Sequence, residues 1–186
     1  MVKRIFTQEE YTEISPAYVK GGVQYYLLRV DPQLYEDGKV IAIEDVYDHE
    51  PTQADKDALY AAWLEMEKRV KVAAIEQFAK TDAVKVFEVN GVKGWLDSEE
   101  RGSIRRAASD KAAEGRDVFT LYLSGNGIEM KPNEVEDILK VVEIYASDCF
   151  DHTENHKANV NACDVIEDVI AYDITAGYPQ HPVFNA

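Results

Sequence analysis

The sequence predicts an α+β fold. Aromatic and β-branched runs fill the first 50 residues, apolar residues recur at helical spacing after residue 52, and an Asn-Gly pair separates two short apolar runs near residue 90. A chain of 186 residues can bury a core without metals or disulfides. We therefore expect N-terminal antiparallel strands, a long connecting helix, and a small C-terminal domain built from a hairpin and helices.

The N-terminal region, residues 1–50, combines strand-like runs at 23–28 and 39–43 with a turn signal at Asp37-Gly38. Several large aromatic side chains occur here and at the start of the following helix. Tyrosine and tryptophan are enriched at interface hot spots, so these side chains are candidate contacts with partner proteins. The candidates are Tyr25, Tyr26, Tyr35, Tyr47 and Trp63.

A long helix is predicted from about residue 52 to residue 80. Thr52 precedes Asp55 by three residues, as in a capping arrangement, and apolar positions then recur at intervals of four and three residues. Such a helix is roughly 40 Å long. It could lie on a sheet, connect two lobes, or form one strand of a coiled coil, which would permit a homo-oligomer. The predicted partition is a β-rich region 1–50, a helical connector 51–83, and an α+β domain 84–186.

The C-terminal domain opens with a hairpin over residues 84–96, built on a type I′ turn at Asn90-Gly91. Asp97 is expected to cap a short helix, and residues 119–130 form a second strand pair around a glycine-rich turn. A helix opening at Pro132 buries Val135, Ile138, Leu139, Val142 and Tyr145, and Thr153 is expected to cap a further helix. The tail, residues 172–179, is irregular.

The charge limits the choice of partner. The formal net charge is −15, and residues 133–186 hold 11 acidic residues against Lys140 and Lys157. This balance leaves no basic surplus for phosphates or anionic lipid, so nucleic acid and membranes are not expected as partners. A protein partner is expected to bring basic residues or to neutralise carboxylates. No segment reaches the roughly 18 apolar residues that span a bilayer, and we expect synthesis in a cytosol with reduced cysteines.

Four residues have the side chains of a zinc site. Cys149, His152, His156 and Cys163 supply two thiols and two imidazoles, but one continuous stretch rarely converges on a tetrahedral ion. Two buried cysteines and two surface histidines are the simpler interpretation. A cysteine nucleophile with a histidine base is a further alternative, although no orienting acid stands at a recognisable spacing. We therefore expect no cofactor and no enzymatic activity.

Three arginines, Arg101, Arg105 and Arg106, lie on the predicted short helix. Guanidinium groups bind carboxylates bidentately, so the three could hold a carboxylate-rich partner. Pairing with acids of the same chain is an equal alternative.

Three segments carry a resemblance to a known family. They are Phe87-x-Val89-Asn90-Gly91-Val92-x2-Trp95-Leu96-Asp97-x3-Arg101, Tyr145-Ala146-x2-Cys149-x3-Thr153-x2-His156, and Tyr172-Asp173-x-Thr175-x-Gly177-Tyr178-Pro179. Together they resemble a family of unknown function that recurs in bacteriophage and prophage tail-associated proteins. The resemblance extends over about residues 84–180 and implies a role in a virion or in its assembly.

Within these segments the residues themselves suggest structural roles. Arg101 can pair with a carboxylate, and His156 is expected to be partly buried and hydrogen-bonded to backbone. The expected structural anchors are Trp95, Arg101, Thr153, Tyr172, Tyr178 and Pro179.

Sequence and resemblance together favour a bacteriophage virion-associated protein, in the tail or at a fibre attachment, that acts through contacts with other phage proteins such as a fibre or baseplate component. Its expected location is the virion, after synthesis in the host cytoplasm. Two alternatives remain open. One is a tail-fibre assembly chaperone that is not retained in the virion, and the other is a small zinc-binding module or enzyme using Cys149, His152, His156 and Cys163.

Overall fold

The chain has an α+β fold, as predicted. The computed structural model describes residues 1–34 and 39–185, with side chains for 1–30 and 39–185. Packing divides the chain into two compact units, the first comprising Met1–Val70 and Cys163–Ile170, and the second comprising 71–162 and 171–185. The boundary therefore lies inside the long helix, whereas the sequence-based partition placed its boundaries after residues 50 and 83.

The first unit is built on a four-stranded antiparallel sheet. Its strands are β1 (Val2–Thr7), β2 (Ile14–Lys20), β3 (Val23–Leu34) and β4 (Lys39–Tyr47), in the order β1-β4-β3-β2. The N-terminal antiparallel strands are thus confirmed. The predicted Asp37-Gly38 turn and the candidate contact Tyr35 lie outside the described residues.

Helix α1 (Gln53–Phe78) confirms the long helix expected from the sequence. Thr52 and Asp55 cap it reciprocally: the Thr52 amide donates to Asp55 Oδ2 at 2.7 Å, and the Asp55 amide donates to Thr52 Oγ1 at 3.4 Å. Its first half buries Leu59 and Trp63 in the core of the first unit.

The interpretation of Trp63 as a partner contact is wrong. Its side chain is 0% exposed within a core that includes Leu28, Ile43 and Ile166. The indole Nε1 donates to Glu67 Oε1 at 2.9 Å, so its only polar atom is also satisfied inside the unit. The helical spacing that placed Trp63 on an apolar face already indicated this core role.

The second unit contains two hairpins, two further helices and a short C-terminal strand. The hairpins are β5 (Phe87–Val89) with β6 (Val92–Gly94), and β7 (Phe119–Leu123) with β8 (Asn126–Met130). The helices are α2 (Ser98–Ala113) and α3 (Pro132–Asn161). After α4 (Ile166–Ala171), which contains the boundary between the units, β9 (Val183–Phe184) pairs in parallel with β5.

The local predictions for these elements are largely confirmed. Asn90 and Gly91 have φ angles of 49° and 81°, as a type I′ turn requires. Asp97 caps α2 in a capping box with Glu100. The apolar face of α3 is buried with both hairpins in one core, together with Phe87, Leu121 and Leu123.

The predicted helix cap at Thr153 is wrong. Helix α3 continues without a break from Pro132 to Asn161, and Thr153 lies inside it. Its hydroxyl donates to the Cys149 carbonyl at 2.8 Å, one turn back along the same helix. A threonine that bonds to the preceding turn satisfies its hydroxyl without ending the helix, and sequence spacing does not distinguish this bond from a cap.

In the described part of the chain, no helix is both long enough and apolar enough to cross a membrane.

We expect Trp63→Ala to lower the free energy of unfolding of the first unit by about 3–5 kcal/mol, because it leaves a cavity the size of an indole. Urea denaturation followed by far-UV circular dichroism measures this loss. The matched control is Val70→Ala, at a position 60% exposed on the same helix, which should change stability by less than about 0.5 kcal/mol. Equal, small losses in the two variants would contradict the core role of Trp63.

Candidate protein-binding site

The second half of α3 buries polar side chains where its first half buries apolar ones. Thr153 is 9% exposed and His156 is 7% exposed. Buried polar groups need hydrogen-bond partners, and here the partners come from residues 172–178 of the C-terminal segment. We call residues 172–184 the C-terminal strap.

His156 is bonded at both ring nitrogens. Nε2 lies 2.9 Å from the Ala176 carbonyl oxygen, which can only accept, so Nε2 carries the proton. In the neutral ring, Nδ1 then accepts from the Tyr172 hydroxyl at 2.8 Å, and that hydroxyl accepts from Asn159 Nδ2 at 3.2 Å. The expected hydrogen bond from His156 to backbone is confirmed. At 7% exposure the ring is buried rather than partly buried, so the interpretation of His156 as a surface histidine is wrong.

Tyr178 packs the strap onto the helix. Its ring stacks on that of His156 with centroids 5.4 Å apart and meets Phe78 edge-on at 5.5 Å. Because Thr153 gives its hydroxyl proton to the Cys149 carbonyl, Tyr178 must donate to Thr153 Oγ1, 3.0 Å away. Gly177 has a φ of 80°, and a Cβ there would lie 3.1 Å from His152 Cε1, so a larger residue would be strained and crowded.

A second buried contact joins α3 to the segment before β5. The Tyr145 hydroxyl donates to the Val84 carbonyl at 2.6 Å, and Cys149 Sγ lies 4.0 Å from the same oxygen. Burial raises the pKa of both Tyr145 and Cys149. The Cys149 thiol is therefore protonated near neutral pH, which does not favour a nucleophilic role.

Arg101 links α2, α3 and the end of the first hairpin. Its Nε donates to Glu143 Oε2 at 2.6 Å, its Nη1 donates to the Leu96 carbonyl at 2.7 Å, and its guanidinium lies 5.3 Å from the Trp95 ring centroid. The hydrogen bond from Arg101 lowers the pKa of Glu143. The predicted pairing of Arg101 with a carboxylate is confirmed, and Arg101 is 6% exposed, whereas Arg105 and Arg106 are exposed.

These contacts surround a cleft of about 430 Å³ in the second unit. Its apolar lining combines the nearly buried Val84 and Cys149 with the half-buried Trp95 and Ala146. Phe150, on the next position of α3, is 63% exposed at the same cleft. An exposed aromatic ring beside an apolar depression is typical of a surface that binds another protein.

The charged residues around the cleft are unequally paired. Lys157 bridges Glu154 at 2.8 Å and Glu76 at 3.5 Å, so this one cation is paired with two carboxylates. Lys80 and Lys85 are exposed, and neither forms an ion pair with any residue that the structure describes. Among the described residues, the cleft lining holds four cations and three carboxylates, and two of the cations, Lys80 and Lys85, have no ion pair, in a chain whose net charge is −15.

The four residues of the hypothetical zinc site have other contacts. Within residues 1–34 and 39–185, no group of three or more His, Cys, Asp or Glu side chains is arranged to hold a metal ion. Both nitrogens of His156 are bonded to protein, and Cys149 is buried against Val84. Cys163 belongs to the first unit, whereas Cys149, His152 and His156 belong to the second.

Three of the remaining aromatic candidates lie on the N-terminal sheet. Tyr25, Tyr26 and Tyr47 are half-buried, and Tyr25 stacks on Tyr18 with centroids 4.8 Å apart. Their role as partner contacts stays a prediction.

No family model, no curated protein and no solved structure matches the chain. Residues from the three segments quoted for the resemblance nevertheless lie together in the structure. Trp95 and Arg101 line the cleft beside Cys149 and Thr153. Thr153 is hydrogen-bonded to Tyr178, and His156 is hydrogen-bonded to Tyr172. Pro179 follows this contact and is half-buried.

Three cleft residues, Phe150, Lys80 and Lys85, were not among the candidates that the sequence predicts. Cys149 lies on the buried face of α3, and Phe150 is the next residue along the helix. Because successive helical residues point in directions about 100° apart, this position was the available signal that the aromatic ring would be exposed. The two lysines had no such signal, because their freedom from ion pairs depends on the tertiary structure.

We expect Thr153→Val and Tyr178→Phe to be coupled. Each removes one hydroxyl of the same hydrogen bond, so a double-mutant cycle should give an interaction energy of about 1 kcal/mol. Urea unfolding of the wild type, the two single variants and the double variant measures it. Thr175→Val with Tyr178→Phe is the matched control cycle, since Thr175 bonds Asp173 and has no bond to Tyr178. Strict additivity in the first cycle would refute the bond.

The lowered pKa of Glu143 predicts a specific pH dependence. A carboxyl group with a depressed folded-state pKa adds stability that is present above its unfolded pKa of about 4.3 and is lost as pH falls through the folded value. Glu143→Gln should therefore be less stable than wild type at pH 7, by about 0.5–1 kcal/mol after allowance for solvent screening of this half-exposed group. This difference in the free energy of unfolding between Glu143→Gln and wild type should shrink when urea unfolding is repeated near pH 3. Glu129→Gln, at an exposed position on β8, is the control. A difference for Glu143→Gln that shrinks no more than that of this control would contradict the prediction.

Proposed function

We propose that the protein is a bacteriophage virion-associated component that acts by binding another phage protein, and that the cleft of the second unit is the binding site. The observation that carries this proposal is the exposed Phe150 ring beside the apolar lining formed by Val84, Trp95 and Cys149. The phage assignment rests on the resemblance of the three quoted segments, two of which contribute residues to this cleft.

The cleft is suited to binding because its walls are fixed. Tyr145 and Cys149 are tied to Val84, and Arg101 is tied to Glu143 and Leu96. A preformed site loses little conformational entropy when a partner binds. A modest apolar contact can therefore be sufficient for binding. The cleft volume of about 430 Å³ accommodates a few side chains of a partner rather than a whole domain.

The surrounding groups favour binding over chemistry. The buried Cys149 has a raised pKa, His156 is bonded at both nitrogens, and Asp97 accepts the Glu100 amide as the cap of α2. None of these groups is poised to transfer a proton or to attack a substrate. The state of these three groups supports the proposal that the protein works without catalysis.

The composition of purified phage particles tests this function. Quantitative mass spectrometry should find the protein in a fixed ratio to the major capsid protein. Phe150→Ser should lower its incorporation by about tenfold, because a central aromatic contact is lost. Tyr122→Ser is the matched control, at 67% exposure on β7 of the same unit against 63% for Phe150, and should incorporate normally.

Absence from particles, together with a Phe150-dependent complex with a fibre protein in the infected lysate, would replace the structural role with that of an assembly chaperone. Absence from both would overturn the proposal.

A further inference from the structure

The cleft contains basic groups that the protein itself does not neutralise. Lys80 and Lys85 make no ion pair with the described residues. Arg101 lines the same cleft, and its charge is paired with Glu143. Its Nε and Nη1 have protein acceptors, whereas Nη2 has none among residues 1–34 and 39–185, so Nη2 is a hydrogen-bond donor without a protein partner.

A ligand that supplies an acceptor to Nη2 satisfies a donor that the described residues leave without one. A carboxylate is the acceptor that fits a guanidinium best, and it also compensates the lysine ammonium groups. The acids of the cleft do not serve: Glu76 and Glu154 are engaged with Lys157, and Asp97 caps α2. An outside carboxylate is therefore favoured at this position.

The apolar part of the cleft excludes a simple anion as the whole ligand. Trp95 and Phe150 offer aromatic surface that a small carboxylate would leave in contact with water. A ligand that uses both parts has a large apolar side chain with acidic residues beside it.

We propose that the cleft binds a linear segment of another protein, in which a large apolar side chain contacts Trp95 and Phe150 and a neighbouring carboxylate pairs with Arg101, Lys80 or Lys85. This inference rests on the proposed function and specifies the chemistry of its partner. The overall charge of −15 favours basic partners, and the cleft is a local exception. Charges more than about 8–10 Å away are screened at physiological salt, so the groups lining the cleft dominate the interaction.

A selection from random 12-residue peptides displayed on ribosomes tests the inference with the full chain as bait and its Phe150→Ser variant as the counter-selection. The expected consensus is a large apolar residue with Asp or Glu within a few positions. A basic consensus, or no enrichment, would overturn the inference. The selected peptides are then made synthetically as probes.

The two tryptophans of the chain provide an internal control for the binding site. In ¹H–¹⁵N spectra, the probe should shift the indole signal of Trp95, which lines the cleft, and leave that of the fully buried Trp63 unchanged. A shift of Trp63 alone would place binding elsewhere and refute the site.

Charge-reversed variants test the carboxylate contact. Lys80→Glu combined with Lys85→Glu should weaken probe binding by about tenfold, because two attractive contacts become repulsive. The same double reversal at Lys131 and Lys140, exposed residues of the second unit that do not line the cleft, should change it less than twofold. Equal effects in the two pairs would mean that only net charge matters and would overturn the inference.

The failures are distinguishable. If the peptides show no acidic preference but Phe150→Ser still reduces incorporation into particles, the inference is wrong and the proposed function stands. If the acidic-apolar probes bind at Trp95 but neither particles nor fibre complexes contain the protein, the proposed function is wrong and the chemistry of the cleft stands.

Discussion

The second unit depends on satisfying the polar side chains that α3 buries in its second half. Over residues 135–142 the buried face of this helix is apolar, and the hairpins cover it. Beyond Cys149 the same face presents Thr153, whose hydroxyl already donates to the Cys149 carbonyl, and His156, whose two ring nitrogens an apolar cover would leave without hydrogen-bond partners. The C-terminal strap supplies the Tyr178 and Tyr172 hydroxyls and the Ala176 carbonyl. The path of the strap, including the left-handed bend at Gly177, follows from this requirement.

The same helix organises the cleft on its adjacent face. Tyr145 and Cys149 hold Val84 in place, and Glu143 holds Arg101 against Trp95. These bonds fix groups from three parts of the sequence around one depression, so the exposed Phe150 stands next to a rigid apolar wall. Cys149 and Thr153 are buried and also line the cleft, so the fold and the proposed binding site share residues of this helix. Nε and Nη1 of Arg101 bind protein acceptors, and Nη2 is the nitrogen that we propose to be open to a ligand.

The parts of the fold that could be predicted are those determined by local sequence. Three such features, each determined within three or four residues, are present as expected. They are the capping pair Thr52–Asp55, the turn at Asn90-Gly91 with its positive φ angles, and the capping box at Asp97. Thr153 was misassigned because a cap and a bond to the preceding turn require the same residue type. The cleft could not be predicted, since the pairing of Glu76 with Lys157 and the isolation of Lys80 depend on side chains brought together only by folding.

The parallel pairing of β9 with β5 joins Val183 to Glu88 and Phe184 to Val89. Residues almost a hundred positions apart must therefore meet before this sheet is complete, and contacts of such long sequence separation form slowly. During synthesis, β5 emerges from the ribosome long before the strand that covers its edge, and an uncovered edge can pair with other chains. The sheet of the second unit is thus completed only after translation has passed residue 184, and until then one edge of β5 is uncovered.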